Sequence, residues 1–385
     1  MANSIFLKSN LQSLIAHSFC RGLALYFLSS HVNNFMITAS RINFLGALIM
    51  IRLSWVEPSN IGDVRQLVQQ AIDLEFATLP PYLYANLSIP RGKNSEAKAL
   101  LTSIQGEEMV HMCLACNIMN AIGGDPKINP PSFPGPLPGD IGGGFTVHLY
   151  PFSKNAMQQG MHIEEPADPF DPPEAPQITL EAYDLSDVTI GEFYQHLERV
   201  LSELPKDEWH SGRHQVWDNQ FMQGMIFKIN NFDDAKKAID IIVSEGEGTS
   251  ATNPLDQDHQ LAHYYRFEEI YRDRILTLAP GTPDGYVWGD PLGVDWHAVF
   301  PAISDPETHD FSNEPETAQR AQQACNQAFT DMVDELQLAF TGQTGHLGNA
   351  IGAMLGLQKA ALMAFKTPLN DNRVAGPAFK YINKA

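Results

Sequence analysis

The chain has 385 residues, 44% of them hydrophobic, and its 45 acidic against 25 basic residues give a formal net charge of −20. That balance repels a phosphate backbone and argues against a nucleic-acid partner, while the apolar content is enough for a sizeable core. Four cysteines, Cys20, Cys113, Cys116 and Cys325, are too few for a disulfide scaffold and lack zinc-ribbon spacing, so the expectation is a reduced, cytoplasmic protein.

Residues 1–56 read as a leader, transit-like or unstructured. No Asp or Glu precedes Glu57, and Arg21, Arg41 and Arg52 are scattered among serines and apolar residues. Organelle targeting is the alternative to a cytoplasmic location, and Met50 is an alternative start. No run there reaches ~18 uninterrupted apolar residues, so no membrane span is expected.

Residues 57–280 are expected to form a helical bundle and 281–385 a helical extension packed on it. Val64, Leu67, Val68, Ala71, Ile72, Glu75 and Leu79 follow a 3.6-residue period, which predicts a helix over 58–79. Pro80-Pro81 predicts a kink or break. A second helix over 95–122 ends at Gly123-Gly124. Residues 125–186 are rich in Pro and Gly, with "FTVHLYPF" as a short strand and "FSKNAMQQGMHIEE" as a short helix. The acidic pair Glu164-Glu165 there reads as solvated. Helical pattern returns over 189–204, 233–245, 258–276, 315–340 and 344–365. Two helices, a long crossover and two more helices predict an all-α chain: a ferritin-like four-helix bundle with a long Pro/Gly-rich crossover between helices 2 and 3 and extra C-terminal helices.

Di-metal bundles of this kind take a Glu from each of two helices and a Glu-x-x-His from each of the other two. Glu108-Met-Val-His111 has that spacing, which puts both side chains on one face. Glu75 lies on the apolar stripe of the preceding helix. Buried carboxylates need a counter-charge, and no basic residue lies on either inner stripe. Glu75, Glu108 and His111 are therefore candidate metal ligands, with a buried polar network as the plainer reading. Glu107 points about 100° away, toward the surface or behind the site. Glu192 is a third-helix candidate, although with Thr189 it also makes a capping box. His196 is a weaker candidate one turn on. No Glu-x-x-His follows in the fourth helix. Glu247, between two glycines, and His263 are proposed as a split version of the pair, with Glu245 and His259 in reserve. Cys113, Cys116, Met109, Met112 and Met119 read as core. Tyr82, Tyr84, Tyr264 and Tyr265 read as packing or as a pocket lining.

The stretches "AIDLEFATLPPYLYANLSI", "GEEMVHMCLACNIMNAIGG", "FPGPLPG", "PFS", "TIGEFY", "IVSEGEGT", "LAHYYRFEEI" and "AGPAFKYI" occur in order. Together they resemble the ferritin-like, iminophenyl-pyruvate dimer synthase family, which includes a region of the violacein- and rebeccamycin-type dimer synthases, over about residues 60–380. The resemblance implies a biosynthetic enzyme of secondary metabolism. Family members couple two imines of an aromatic 2-oxo acid, supplied by a partner flavin amino-acid oxidase, into an oxidised dimer. It implies the same polar positions: Glu75, Glu108, His111, Glu192, Glu247 and His263. One position departs, with Glu245 where the family pattern has Gln, which leaves Glu245 and Glu247 as rival ligands.

Three functions follow. The first is a non-haem di-metal oxidase or oxygenase holding two irons, with manganese as the alternative, and using O₂ on a small aromatic, amino-acid-derived substrate. The second is metal-free imine coupling by the same residues as acid and base. The third is a non-enzymatic metal-binding or structural protein. The C-terminal helices pack on the bundle or pair with a second copy in a homo-oligomer.

Overall fold

The structure is a computed structural model that describes residues 57–383 except 142, 168, 170–187, 218–223, 251–252 and 280–284. The expectations for the 1–56 leader lie outside the described residues. Pro58–Ala385 forms a single unit, so the bundle and the C-terminal helices are not separate bodies.

Helix α1, Ile61–Leu87, starts where the Asn60 side chain accepts from the amides of Gly62 and Asp63. It ends near the start of α2, Ser95–Ala121. The pair is antiparallel: Arg65, early in α1, donates to the carbonyl of Ile122, while Asn86, late in α1, donates to Thr102 and Gln105. The break expected at Pro80-Pro81 does not occur, and α1 runs through both prolines. Each proline removes one helical hydrogen bond. Beyond them Tyr82, Tyr84, Ala85 and Leu87 are all buried, so packing outweighs local propensity. Helix α2 closes as its glycines predict, with Gly123 at φ 73° and the Gly124 amide reaching back to Met119.

The crossover is not structureless. It holds β1, Gly135–Pro136, paired with β2, Thr146–Val147, and then α3, Lys154–Ile163. The strand expected over "FTVHLYPF" stops after two residues. The next two amides leave the ladder, His148 donating to Gln159 and Leu149 to Asp305. Helix α4, Ile190–Ser202, and helix α5, Phe232–Glu247, complete the four-helix bundle with α1 and α2.

Helix α6, His263–Arg272, begins later than the expected 258. Asp256 explains the delay: its carboxylate accepts from the amides of Asp258 and Gln260 and closes a turn there. His259 therefore sits in a loop at φ 62°, and the shared helix face expected for His259 and His263 does not form. A hairpin, β3 Leu276–Leu278 with β4 Tyr286–Trp288, follows. Helices α7, Glu316–Phe340, and α8, His346–Ala364, pack against each other and cover α1 through Phe76 on Phe329 and Tyr84 on Phe365. No helix among the described residues is long and apolar enough to cross a membrane.

Candidate metal centre

Mid-length in α1, the apolar stripe that buries Val68 and Ile72 also buries Glu75. On α2 the same periodicity buries Glu108 and His111, each 2% exposed. Because the helices are antiparallel, these three meet at mid-bundle. His111 Nδ1 lies 3.5 Å from Glu75 Oε2 and 3.8 Å from Glu108 Oε1.

A second group abuts the first. His263, the first residue of α6, has Nδ1 at 2.8 Å from Glu108 Oε1 and 3.6 Å from Glu164 Oε2. The two imidazoles stack with centroids 5.6 Å apart. Glu164 caps the C-terminus of α3 and is buried, which corrects its reading as a solvated acid. Gly160 lets α3 approach α6 closely, since a Cβ there would meet the Phe267 ring at 2.6 Å. A sequence signal existed: Met157, Gly160, Met161 and Glu164 share one face at i, i+3, i+4 and i+7.

Each of these groups is fixed from outside and open inward. Tyr194 donates to Glu75 Oε1 and Tyr82 to Glu164 Oε1, while the Thr78 hydroxyl lies 2.7 Å from Glu108 Oε2. Burial, then the charge of Glu164 on Tyr82 and of Glu75 on Tyr194, pushes both phenols well above 10, so they remain donors. On the imidazoles, Nε2 of His111 pairs with Glu245 at 2.7 Å and Nε2 of His263 with Glu107 at 2.8 Å. Arg266 holds Glu107 at 2.6 Å. With Nε2 of each ring turned to an outer carboxylate, Nδ1 of each ring faces the inner carboxylate oxygens.

His263 Nδ1 is buried without a hydrogen bond, although a carboxylate oxygen lies 2.8 Å away. A metal cation, or a ring proton in its absence, satisfies both. Ligands about 2.1 Å from one ion and at right angles sit about 3 Å apart, close to the spacings here. Glu75, Glu108 and His111 form one group able to hold a metal ion, and Glu108, Glu164 and His263 form another. Glu108 belongs to both. Carboxylate and imidazole donors suit iron or manganese.

The charges agree. Burial, with the charges of Glu164 and Glu75 added, raises Glu108 to about 7 against the pull of His263. Burial disfavours charge on both rings. It is outweighed for His111 by Glu245 and Glu75, and for His263 by Glu107 and Glu108, so both stand well above 6.5. Without a metal, protons on the rings offset the carboxylates, and a bound cation would displace them. Glu107 is held at about 2: burial opposes this, but His263 and Arg266 prevail.

Of the six residues expected as ligands, Glu75, Glu108, His111 and His263 come together. Glu192 does not. It is exposed and closes the α4 capping box with Thr189, because its place at the third helical position suits the amide of the cap. Glu247 is not within either group. It ends α5 beside a small pocket that Glu75, Glu108, His111 and Glu164 also line, with its Oε1 on the Gly191 amide at 2.7 Å. Burial and the charge of Glu164 raise it to about 7 despite that bond. Glu245 backs His111 instead of lining the pocket. His196 turns to Arg199, and His259 is exposed. Cys113 and Cys116 are buried in the core, and burial pushes the Cys113 thiol up to about 12. Of the tyrosines, Tyr82 reaches the cluster, whereas Tyr84 donates to the carbonyl of Ile303.

A family model described as Ferritin-like matches residues 68–272, more than half of the chain and the span that contains both groups. A ferritin-like protein from Caulobacter vibrioides has a similar solved structure, with a TM-score of 0.57 and 23% identity over 83% of this chain and 97% of that one. No curated protein matches the sequence.

Proposed function

The chain belongs to the ferritin-like family, and on that premise we propose that it is a non-haem di-metal protein of the oxidase or oxygenase type. The observation that carries the reading is the pair of ligand groups sharing Glu108, with Nδ1 of both imidazoles turned inward. Two redox-active ions held there, iron or manganese, would supply O₂ binding and reduction. The chain's own part is positional. Tyr82, Tyr194 and Thr78 orient the carboxylates, and Glu107 and Glu245 fix the ring tautomers. The apolar side chains of Ile190, Ile242 and Val243 limit water beside the cluster. The resemblance to iminophenyl-pyruvate dimer synthases extends the proposal to an aromatic, amino-acid-derived substrate and a flavin oxidase that supplies it.

Metal analysis by plasma mass spectrometry tests this. Protein from iron-supplemented cells is expected to hold about two ions per chain, with His111→Ala and Glu164→Gln each losing about one. Absence of stoichiometric metal, or metal indifferent to both substitutions, defeats the proposal and turns the cluster into an acid–base site or a structural network.

A further inference from the structure

Helix α8 is apolar on its exposed side as well as on its buried one. Of its 19 residues, Ala350, Leu357, Ala361 and Ala364 are buried, yet Lys359 is its one Asp, Glu, Lys or Arg. Its neighbour α7 carries Glu316, Arg320, Asp331, Asp334 and Glu335. A helix apolar all round normally lies inside a protein. The outward arc of α8 holds Gly348, Gly352, Leu355, Gly356, Lys359 and Met363, at helical spacing. Leu355 is 63% exposed and Met363 58%, with Ile351 and Leu362 half-buried along one edge.

The glycines of this arc have no reason within one chain. Glycine inside a helix is destabilising relative to alanine. Gly160 and Gly191 are explained by close contacts, since a Cβ would meet Phe267 at 2.6 Å or Glu247 at 2.3 Å. At Gly348, Gly352 and Gly356 a Cβ would meet nothing within 4 Å. These three lie four residues apart on one face and leave a shallow groove along the backbone. Such a groove lets a second helix approach closely.

Two features point to what lies in it. The arc is small toward its N-terminal end, at Gly345 and Gly348, and large toward its C-terminal end, at Leu355 and Met363. Turned antiparallel on itself about a twofold axis, it sets Met363 of each copy opposite Gly348 of the other and Leu355 opposite Gly356, as a self-complementary contact requires. The charges agree. No Asp or Glu occurs over 336–370, although the chain carries a net charge of −20. Two such chains repel where their acids face each other, and here they can meet without acids.

We propose that α8 is the contact of a homodimer and pairs antiparallel with α8 of a second copy, the bulky residues of each seated on the glycines of the other. The inference is independent of what the bundle centre binds.

Analytical ultracentrifugation of the full chain from about 1 to about 200 µM tests it. The expected result is a shift from 42.7 kDa toward twice that mass. Leu355→Glu and Gly352→Gln should each weaken the dimer at least tenfold. Because Leu355 is exposed, its variant alters the contact without touching the core. Gly352→Gln should also melt above the parent at the lowest concentration, since it removes a glycine from a helix interior. Cysteine crosslinking in a Cys20→Ser chain reads the orientation. Gly348→Cys mixed with Met363→Cys should give a disulfide dimer on mild oxidation. Neither should pair with itself, because the two positions lie about 22 Å apart along the helix. A chain monomeric throughout, a dimer unchanged by Leu355→Glu, or self-pairing in place of mixed pairing overturns the proposal. So does binding to phosphatidylcholine vesicles that Leu355→Glu abolishes, which would make α8 a membrane-facing helix.

Discussion

The two ligand groups share Glu108 but are built differently. The His111 group comes from the middles of two antiparallel helices, where the backbone is fixed on both sides and the helical period places each side chain. The His263 group takes Glu164 from the end of α3 and His263 from the start of α6. Those positions depend on where two short helices stop and begin, and on the close contact at Gly160. The comparison teaches that one centre can combine a half specified by local periodicity with a half specified by packing between distant segments.

Substitution of the shared residue tests the comparison most severely. Glu108→Gln is expected to abolish both metal sites, taking about two ions per chain to nearly none, whereas Glu75→Gln or Glu164→Gln should leave about one. Metal analysis with anaerobic titration reads this. Retention of both ions in Glu164→Gln would dissolve the second group as a metal site.

The next effect concerns the helix that carries His263. Glu269 on α6 is buried and accepts from the Leu276 amide at 2.7 Å. Burial raises it to about 7, against that bond and the charge of Arg266. A carboxylate raised on folding costs nothing below its unfolded value near 4.5. The cost grows as pH rises to about 7 and is constant above, reaching about 3 kcal/mol. Glu269→Gln keeps an acceptor and removes the charge. It should match the parent near pH 4.5 and gain most of that energy at pH 8, in denaturant melts across pH. An equal gain at both pH values would contradict the assignment.

Smaller effects separate the two halves. Loss of an outer partner typically weakens metal affinity 10–100-fold. Glu107→Gln should weaken one ion and Glu245→Gln the other, in competition with a chelator. The smallest effect is expected outside the site: Glu192→Ala should leave metal content unchanged and lower stability by about 0.5–1 kcal/mol through the lost cap.

The legibility of each residue follows from its position. Glu75, Glu108 and His111 could be read because a polar group on an apolar stripe is anomalous at helical spacing. Glu164 carried the same signal over one short helix, but within a Pro-rich stretch whose acids look solvated. Glu192 shows the reverse, where a suitable ligand type at a suitable helix start is fully accounted for by a local cap. Glu245 and Glu247 are two residues apart near a helix end, and spacing could not choose which backs His111 and which faces the pocket. The prolines of α1 misled because propensity is local and the burial that overrides it is not.

The sequence by itself determined the helix order, the long crossover, the acidic surface charge and the half of the centre that lies on α1 and α2. These depend on residue type and on a period of 3.6, both present in the linear chain. Only the tertiary structure decided that Glu164 and not Glu192 joins His263, that both rings turn Nδ1 inward, and that Glu247 faces a small pocket. Those outcomes rest on contacts between segments far apart in sequence: α3 on α6, Glu107 on His263, and the Gly191 amide on Glu247. The folded chain selects them by packing and by the cost of leaving buried charge unpaired.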